Sequence, residues 1–95
     1  MLDIRVDEKA GVVRFKGRLD AAQSRRVEEV LEGLEATTWI DCLELDYISS
    51  AGLGILFAAH KRLADAGQQL GVQNLSPHLR EVFAIAGFDR FFEIR

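Results

Sequence analysis

The chain has 95 residues, of which 48% are apolar and 28% are charged, and its formal net charge is −3. This length predicts a single globular domain over residues 1–95, and the composition excludes a disordered or fibrous protein. The acidic balance, without a basic face, argues against nucleic-acid binding.

A strand hairpin is predicted at the start of the chain. Residues 2–7 alternate apolar and charged side chains, which is typical of a half-buried strand. After a turn ending at Gly11, residues 12–15 are rich in β-branched and aromatic side chains and predict a second strand. Residues 17–20 are expected to end that strand, with Asp20 as the N-cap of a first helix.

Strands and helices are predicted to alternate through the rest of the chain. The first helix carries an apolar stripe and an acidic outer face. A short strand over residues 39–42, extending to Leu43, is followed by a connection over residues 45–48 and a long helix that ends at Gly67. A strand over residues 70–72 comes next.

Serine and proline at positions 76 and 77 predict the start of a last helix, which ends at Gly87 before a terminal strand over residues 91–94. This order predicts an α/β fold: a mixed sheet of four to five strands, covered by three to four helices and joined by right-handed crossovers.

Known enzyme motifs are absent from the sequence. His60 and His78 do not stand at metal-ligand spacing, and no phosphate-binding loop or nucleophile elbow is present. The lone Cys42 permits no disulfide and is expected to be a small buried residue. We therefore predict no enzymatic activity, no metal and no cofactor. No signal peptide or span of about 18 apolar residues is present, which favours a cytoplasmic chain without direct membrane insertion.

The most informative segment covers residues 45–54. Ser49 or Ser50 can cap the long helix, and the small residues after them leave its first turns bare. Each glycine there costs roughly 1 kcal/mol of helix stability relative to alanine, so a close approach by another surface or by a phosphate is expected to offset it. A helix N-terminus favours an anion, and a phosphoserine would add about −1.5 to −2 charges. A plain serine cap packed on the sheet is the alternative reading.

The segment resembles the signature of STAS domains, the family of anti-sigma factor antagonists. Residues 47–53 read Tyr-Ile-Ser-Ser-Ala-Gly-Leu, a common variant of that signature. Residues 17–20, Gly-Arg-Leu-Asp, are similar to the family's Gly-Glu-Leu-Asp turn, and residues 75–88 resemble its Ser-Pro helix. The resemblance extends over nearly the whole chain.

The resemblance implies that Ser50 is the phosphoacceptor, with Ser49 as the second candidate. Ser49 stands where the family has an aspartate, and Ala51 stands at its second hydroxyl position. Asp20 and Asp41 match positions in loops near the acceptor. Leu43 is expected to be either partner-facing or buried, and Leu53 and Phe57 either partner-facing or core. The implied partner-binding residues are Asp20, Asp41, Ser49, Ala51, Gly52, Leu53 and Gly54.

The function implied by the resemblance is partner switching. The unmodified domain would bind an anti-sigma factor that is also a serine kinase of the GHKL type, phosphorylation of Ser50 would release it, and a PP2C-type phosphatase would reset the domain. One alternative is an adaptor subunit of an ABC-type lipid transporter that needs no phosphate. A nucleotide-hydrolysing activity is disfavoured, because no phosphate-binding lysine or metal carboxylate cluster is present.

Overall fold

The computed structural model describes all residues from Met1 to Arg95. One five-stranded sheet has the spatial order β1-β2-β3-β4-β5. Strand β1 pairs antiparallel with β2, and the remaining neighbours are parallel. The predicted mixed sheet is therefore confirmed. The elements are β1 (Leu2–Asp7), β2 (Val12–Leu19), α1 (Ser24–Glu32), β3 (Thr38–Ile48), α2 (Ser50–Asp65), β4 (Leu70–Gln73), α3 (Pro77–Ile85) and β5 (Glu93–Ile94), with 3₁₀ turns at Ala21–Gln23 and Phe88–Arg90.

The three helices share one hydrophobic core with the sheet. Strand residues such as Phe15 and Ile40 pack in one cluster with Leu31 of α1, Leu56 of α2 and Phe83 of α3. Because alternate strand residues point to opposite faces, the neighbours of these buried positions form the other face of the sheet. That face carries charged side chains of β1 and β2, together with Trp39, which packs over Gly71. We refer to it below as the uncovered face.

Cys42 lies in the core, as predicted, with 1% of its surface exposed. Burial, together with the charge of the neighbouring Asp41, raises the pKa of its thiol from 9.0 to about 12. The buried thiol is therefore protonated at neutral pH.

Strands β2 and β3 extend well past their predicted ends. Strand β2 continues to Leu19, and β3 continues through the predicted connection to Ile48. The second half of β3 was not recognised because the strand contains two bulges. At each one, opposite Arg14–Lys16 and opposite Gly17–Arg18, an extra residue of β3 faces β2. Such bulges break the regular alternation by which a strand is recognised in a sequence.

The start of the first helix was also predicted wrongly. Asp20 makes no side-chain capping hydrogen bond, and a 3₁₀ turn over Ala21–Gln23 precedes α1. Ala21 and Ala22 are exposed, so no apolar anchor draws this turn onto the core. At the other end of the chain, β5 has only two residues, because the N–H groups of Phe91 and Phe92 donate to the carbonyl of Phe88 and belong to the turn that begins there.

Candidate docking site at the start of helix α2

The ends of β2 and β3 meet the first turn of α2 at one edge of the sheet. Leu19 and Ile48, the last residues of the two strands, are paired in the ladder. The backbone N–H of Ser49 then donates to the carbonyl of Leu19 at 2.8 Å. The carboxyl ends of parallel strands thereby bring Asp20 beside the segment that contains Ser49 and Ser50. This is the edge at which open α/β sheets place their binding sites.

Ser49 is the N-cap of α2. Its backbone is extended, with φ −83° and ψ 167°, and its Oγ accepts a hydrogen bond from the N–H of Gly52 at 3.1 Å. Its carbonyl accepts from the N–H of Leu53 at 2.9 Å. Of the two cap candidates that the sequence leaves open, Ser49 is therefore the one whose hydroxyl is engaged.

Ser50 is the first residue of α2, and its side chain is exposed. Its hydroxyl takes part in none of the hydrogen bonds within the chain. The N–H groups of a first helical turn have no partner in the helix, and the helix dipole is positive there. An anionic group on Ser50 would therefore lie in a favourable field, at a position that the fold leaves accessible.

The two glycines of the first turns have different roles. A Cβ on Gly52 would lie 2.8 Å from Cγ of Leu19 and 3.0 Å from Cγ1 of Ile48, so only glycine lets the helix approach the sheet this closely. A Cβ on Gly54 would meet nothing within 4 Å. The close packing that Gly52 permits therefore offsets its cost in helix stability. Gly54 has no such contact and leaves a surface without side chains beside the exposed Ala51, which we call the bare patch.

Leu53 does not belong to the exposed site. Only 8% of its surface is accessible, and it packs in the hydrophobic core. Of the two roles that the sequence leaves open for Leu53, the core position is confirmed, and the partner contact of its side chain, which the resemblance implied, is corrected. The residue lies on the inner face of α2. Phe57 is half-buried and stacks on Phe88, with ring centroids 5.2 Å apart.

Asp41 lies within β3 rather than in a loop, and its side chain is on the uncovered face. It is 9% exposed. Its carboxylate accepts from the backbone N–H of Leu43 at 2.9 Å, from Nε2 of Gln73 at 3.1 Å and from Nδ2 of Asn74 at 3.3 Å. These bonds hold the first bulge of β3 to the end of β4. Asp41 is therefore built into the sheet and is not part of the surface around Ser50.

The electrostatics of Asp41 follow from these contacts. Burial by itself would raise the pKa of the carboxyl group. The hydrogen bonds from Leu43, Gln73 and Asn74, with the positive charge of Arg14, outweigh burial and lower the pKa below 3.8. The carboxylate is consequently ionised at neutral pH, and its charge is part of the clamp between β3 and β4.

Asp20 shows the opposite situation. Its Oδ1 atom is buried without a hydrogen-bond partner, although the residue as a whole is half-buried. A buried oxygen that accepts no hydrogen bond is unfavourable, and native structures contain few of them. Asp20 therefore keeps an unused acceptor next to the first turn of α2.

The structure excludes one of the two positions, partner-facing or buried, that the sequence leaves open for Leu43. Its side chain is 73% exposed, so it is not a buried residue. Alternation along β3 from the core-facing Cys42 turns it outwards, and Asp41 holds the first bulge through the Leu43 N–H. The sequence leaves its orientation open because the strand is predicted to end at this residue, whereas β3 continues to Ile48.

One hollow and the two histidines lie outside this candidate site. A hollow of about 290 Å³ lies at the opposite end of the sheet, between the β1–β2 turn and the segment before β3. His78 is exposed, His60 packs against Phe92, and no three His, Cys, Asp or Glu side chains are grouped as metal ligands. None of the helices has the length and apolar character needed to cross a membrane.

Residues 2–94 match the family described as Mlab, STAS domain. The chain belongs to the STAS domain family. It is 35% identical over 84 residues to BtrV of Bordetella bronchiseptica, which is provisionally named an anti-sigma factor antagonist; the match covers 84% of this chain and 72% of BtrV. The anti-sigma-B factor antagonist of Listeria monocytogenes is 32% identical over 83 residues, covering 83% of this chain and 73% of the relative.

Solved structures share the fold of this STAS domain. The Bacillus protein SpoIIAA in its phosphorylated form superposes with a TM-score of 0.72 at 18% identity, covering 100% of this chain and 91% of SpoIIAA. The agreement extends over the whole sheet and its helices, so the predicted STAS-like architecture is confirmed.

Proposed function

We propose that this STAS domain is a cytoplasmic anti-sigma factor antagonist that works by partner switching. In its unmodified state it binds an anti-sigma factor that is a serine kinase of the GHKL type. The kinase phosphorylates Ser50 and the complex dissociates, and a PP2C-type phosphatase restores the binding state. The domain is then a ligand and a substrate, and it catalyses no step itself.

The observation that carries this proposal is the division of work between the two serines. Ser49 uses its hydroxyl to cap α2, whereas the hydroxyl of Ser50 is exposed and makes no bond within the chain. Phosphorylation of Ser49 would alter the oxygen that caps α2, whereas phosphorylation of Ser50 leaves that hydrogen bond unchanged. Ser50 is therefore preferred as the phosphoacceptor, and Ser49 remains the second candidate.

A phosphate on Ser50 would change the surface and preserve the fold. It would add about −1.5 to −2 charges at the favourable end of the helix dipole. It would also place a hydrated group in the middle of the bare patch formed by Ala51 and Gly54, where a partner must approach closely. Loss of contact area and desolvation of the phosphate would both favour dissociation.

The comparisons support the same assignment. The relatives from Bordetella and Listeria are named as anti-sigma factor antagonists, and SpoIIAA is described in a phosphorylated form. We carry both properties to this chain as part of the proposal. The partner surface that we propose consists of Asp20, Ser49, Ser50, Ala51 and Gly54. It leaves out Asp41 and the buried side of α2.

The proposal is tested by intact mass and phosphosite mapping of the protein from its own cells, together with partner retention by purified variants. We expect one phosphate, on Ser50, and none in Ser50→Ala. Ser50→Ala should retain the kinase permanently, whereas Ser50→Glu should lose it. Ser76→Ala, which removes a cap serine at another helix, is the matched control and should behave as wild type in both assays.

Partner switching would be contradicted if the protein carried no phosphate under any growth condition and the Ser50→Glu variant bound the partner as tightly as the wild type. That outcome would favour the alternative function, a docking subunit of an ABC-type lipid transporter. A phosphate on Ser49 instead would be consistent with partner switching and would identify Ser49, not Ser50, as the phosphoacceptor.

Asp20 provides a separate prediction. We expect the free energy of unfolding of Asp20→Ala to be about 1 kcal/mol higher than that of the wild type, because the substitution removes a buried acceptor that has no donor. The same change should weaken kinase binding, because a donor of the partner would satisfy that oxygen in the complex. Thermal unfolding and calorimetric titration measure the two effects. A variant that is less stable and binds normally would contradict a docking role for Asp20.

A further inference from the structure

Arg18 differs from the neighbouring cations of β1 and β2 on the uncovered face. Three neighbouring cations each have a carboxylate partner: Arg5 with Asp3 at 3.2 Å, Arg14 with Asp7 at 3.7 Å and Lys16 with Glu44 at 3.7 Å. The guanidinium of Arg18 forms neither an ion pair nor a hydrogen bond. It is nevertheless held in place, because it lies over the ring of Tyr47, 4.3 Å from the centroid.

This arrangement leaves a positioned cation free to bind. Tyr47 faces Arg18 across the β2–β3 ladder, so strand pairing sets the distance between them. An aromatic face attracts a guanidinium without using its N–H donors, which stay available for a second group. A planar guanidinium fits a carboxylate with two parallel hydrogen bonds, a geometry that lysine does not provide.

Arg18 lies at the same edge of the sheet as Ser50. It immediately precedes Leu19, whose carbonyl accepts the N–H of Ser49. Its own backbone N–H donates to the carbonyl of Met1 at 3.1 Å, which fixes the end of β2. A protein that docks on the first turn of α2 therefore reaches this edge as well.

We propose that Arg18, supported by Tyr47, is a specificity-determining contact that receives a carboxylate of the anti-sigma partner. The inference rests on the proposed function and deepens it by giving the chemistry of the partner surface. An acidic partner surface would be attracted by Arg18 and repelled by a phosphate on Ser50. Arg18 would then favour binding before phosphorylation, and the phosphate on Ser50 would favour release after it.

The test measures the dissociation constant of the anti-sigma kinase retained by the wild-type chain. We expect Arg18→Glu to raise that constant at least about tenfold at low salt, and Arg18→Lys and Tyr47→Leu to raise it several-fold. The effect of Arg18→Glu should shrink at high salt, since screening acts over about 10 Å at 0.1 M ionic strength. Lys16→Glu is the matched control, because it makes the same charge change two residues away on the same strand, and it should bind nearly as wild type.

Two results would overturn the inference: a dissociation constant unaffected by Arg18→Glu, or an equal loss in Lys16→Glu. Thermal unfolding of each variant identifies any loss of binding that is caused by misfolding. If Arg18→Glu does not fold, Arg18→Lys is used in its place. Failure of the proposed function is recognised separately, because Ser50→Glu would then bind the same kinase as tightly as wild type does.

Discussion

Helices α2 and α3 begin with the same capping interaction and differ in the residue after the cap. The Oγ atoms of Ser49 and Ser76 each accept an N–H hydrogen bond at 3.1 Å, from Gly52 and Leu79. In α3 the next residue is Pro77, which offers neither a hydroxyl nor an N–H. In α2 it is Ser50, which is exposed with an unbonded hydroxyl.

The difference shows that a serine cap by itself does not indicate a site. Both helices have a positive N-terminal end and an engaged serine, but only α2 adds a second hydroxyl, a bare patch and the unused acceptor of Asp20. The functional assignment depends on these additions. Substitutions at the two helix starts should therefore separate residues that build the fold from residues that the fold leaves free.

The largest effect is expected inside the first turn of α2. Gly52→Ala should lower the free energy of unfolding by about 1–3 kcal/mol, because the added methyl group overlaps Leu19 and Ile48. Gly54→Ala should raise it by up to about 1 kcal/mol, because alanine is the better helix former and the space is open. Urea denaturation measures both. Effects of the same sign would show that the two glycines are equivalent.

Asp41 links the two helix starts, since it joins β3, which leads into α2, to Asn74, which precedes α3. Its pKa is lower in the folded chain than its usual 3.8, so its contribution to stability is present above that pH and is lost as the pH falls through the folded value. At neutral pH, Asp41→Asn should be less stable by about 1 kcal/mol. The difference from wild type should disappear in acid; a difference that persists unchanged would contradict the charged clamp.

The two caps should contribute equally. Ser49→Ala and Ser76→Ala are each expected to lower the free energy of unfolding by about 1 kcal/mol, because each leaves one helical N–H without its acceptor. Thermal unfolding followed by circular dichroism is sufficient to compare them. If Ser49→Ala has no effect, the assignment of Ser49 as the cap is wrong.

The smallest effect is expected at Ser50. Ser50→Ala should change the stability by less than about 0.5 kcal/mol, because an exposed hydroxyl without a bond contributes little. The same denaturation series gives the value. A loss similar to that of Ser49→Ala would show that Ser50 has a structural role, and would weaken the distinction between the two serines.

The sequence predicts those parts of the molecule whose signals are local. The Ser76–Pro77 helix start, the hairpin and the buried Cys42 follow from residue type and short-range pattern, and the structure confirms them. The second half of β3 does not follow, because its bulges depend on pairing with β2, a partner distant in sequence. The uncapped Asp20 also depends on packing between elements, which the capping preference of one residue type does not determine.

The two bulges of β3 have a joint geometric consequence. The core-facing residues of the strand are Ile40 and Cys42, then Leu45, then Ile48, so their numbers change from even to odd and back to even. The first extra residue reverses the parity of the strand, and the second restores it. Deleting either one would turn Ile48 outwards and carry the serines after it away from the helix layer. Length variation in this strand should consequently be tolerated only when it occurs in pairs.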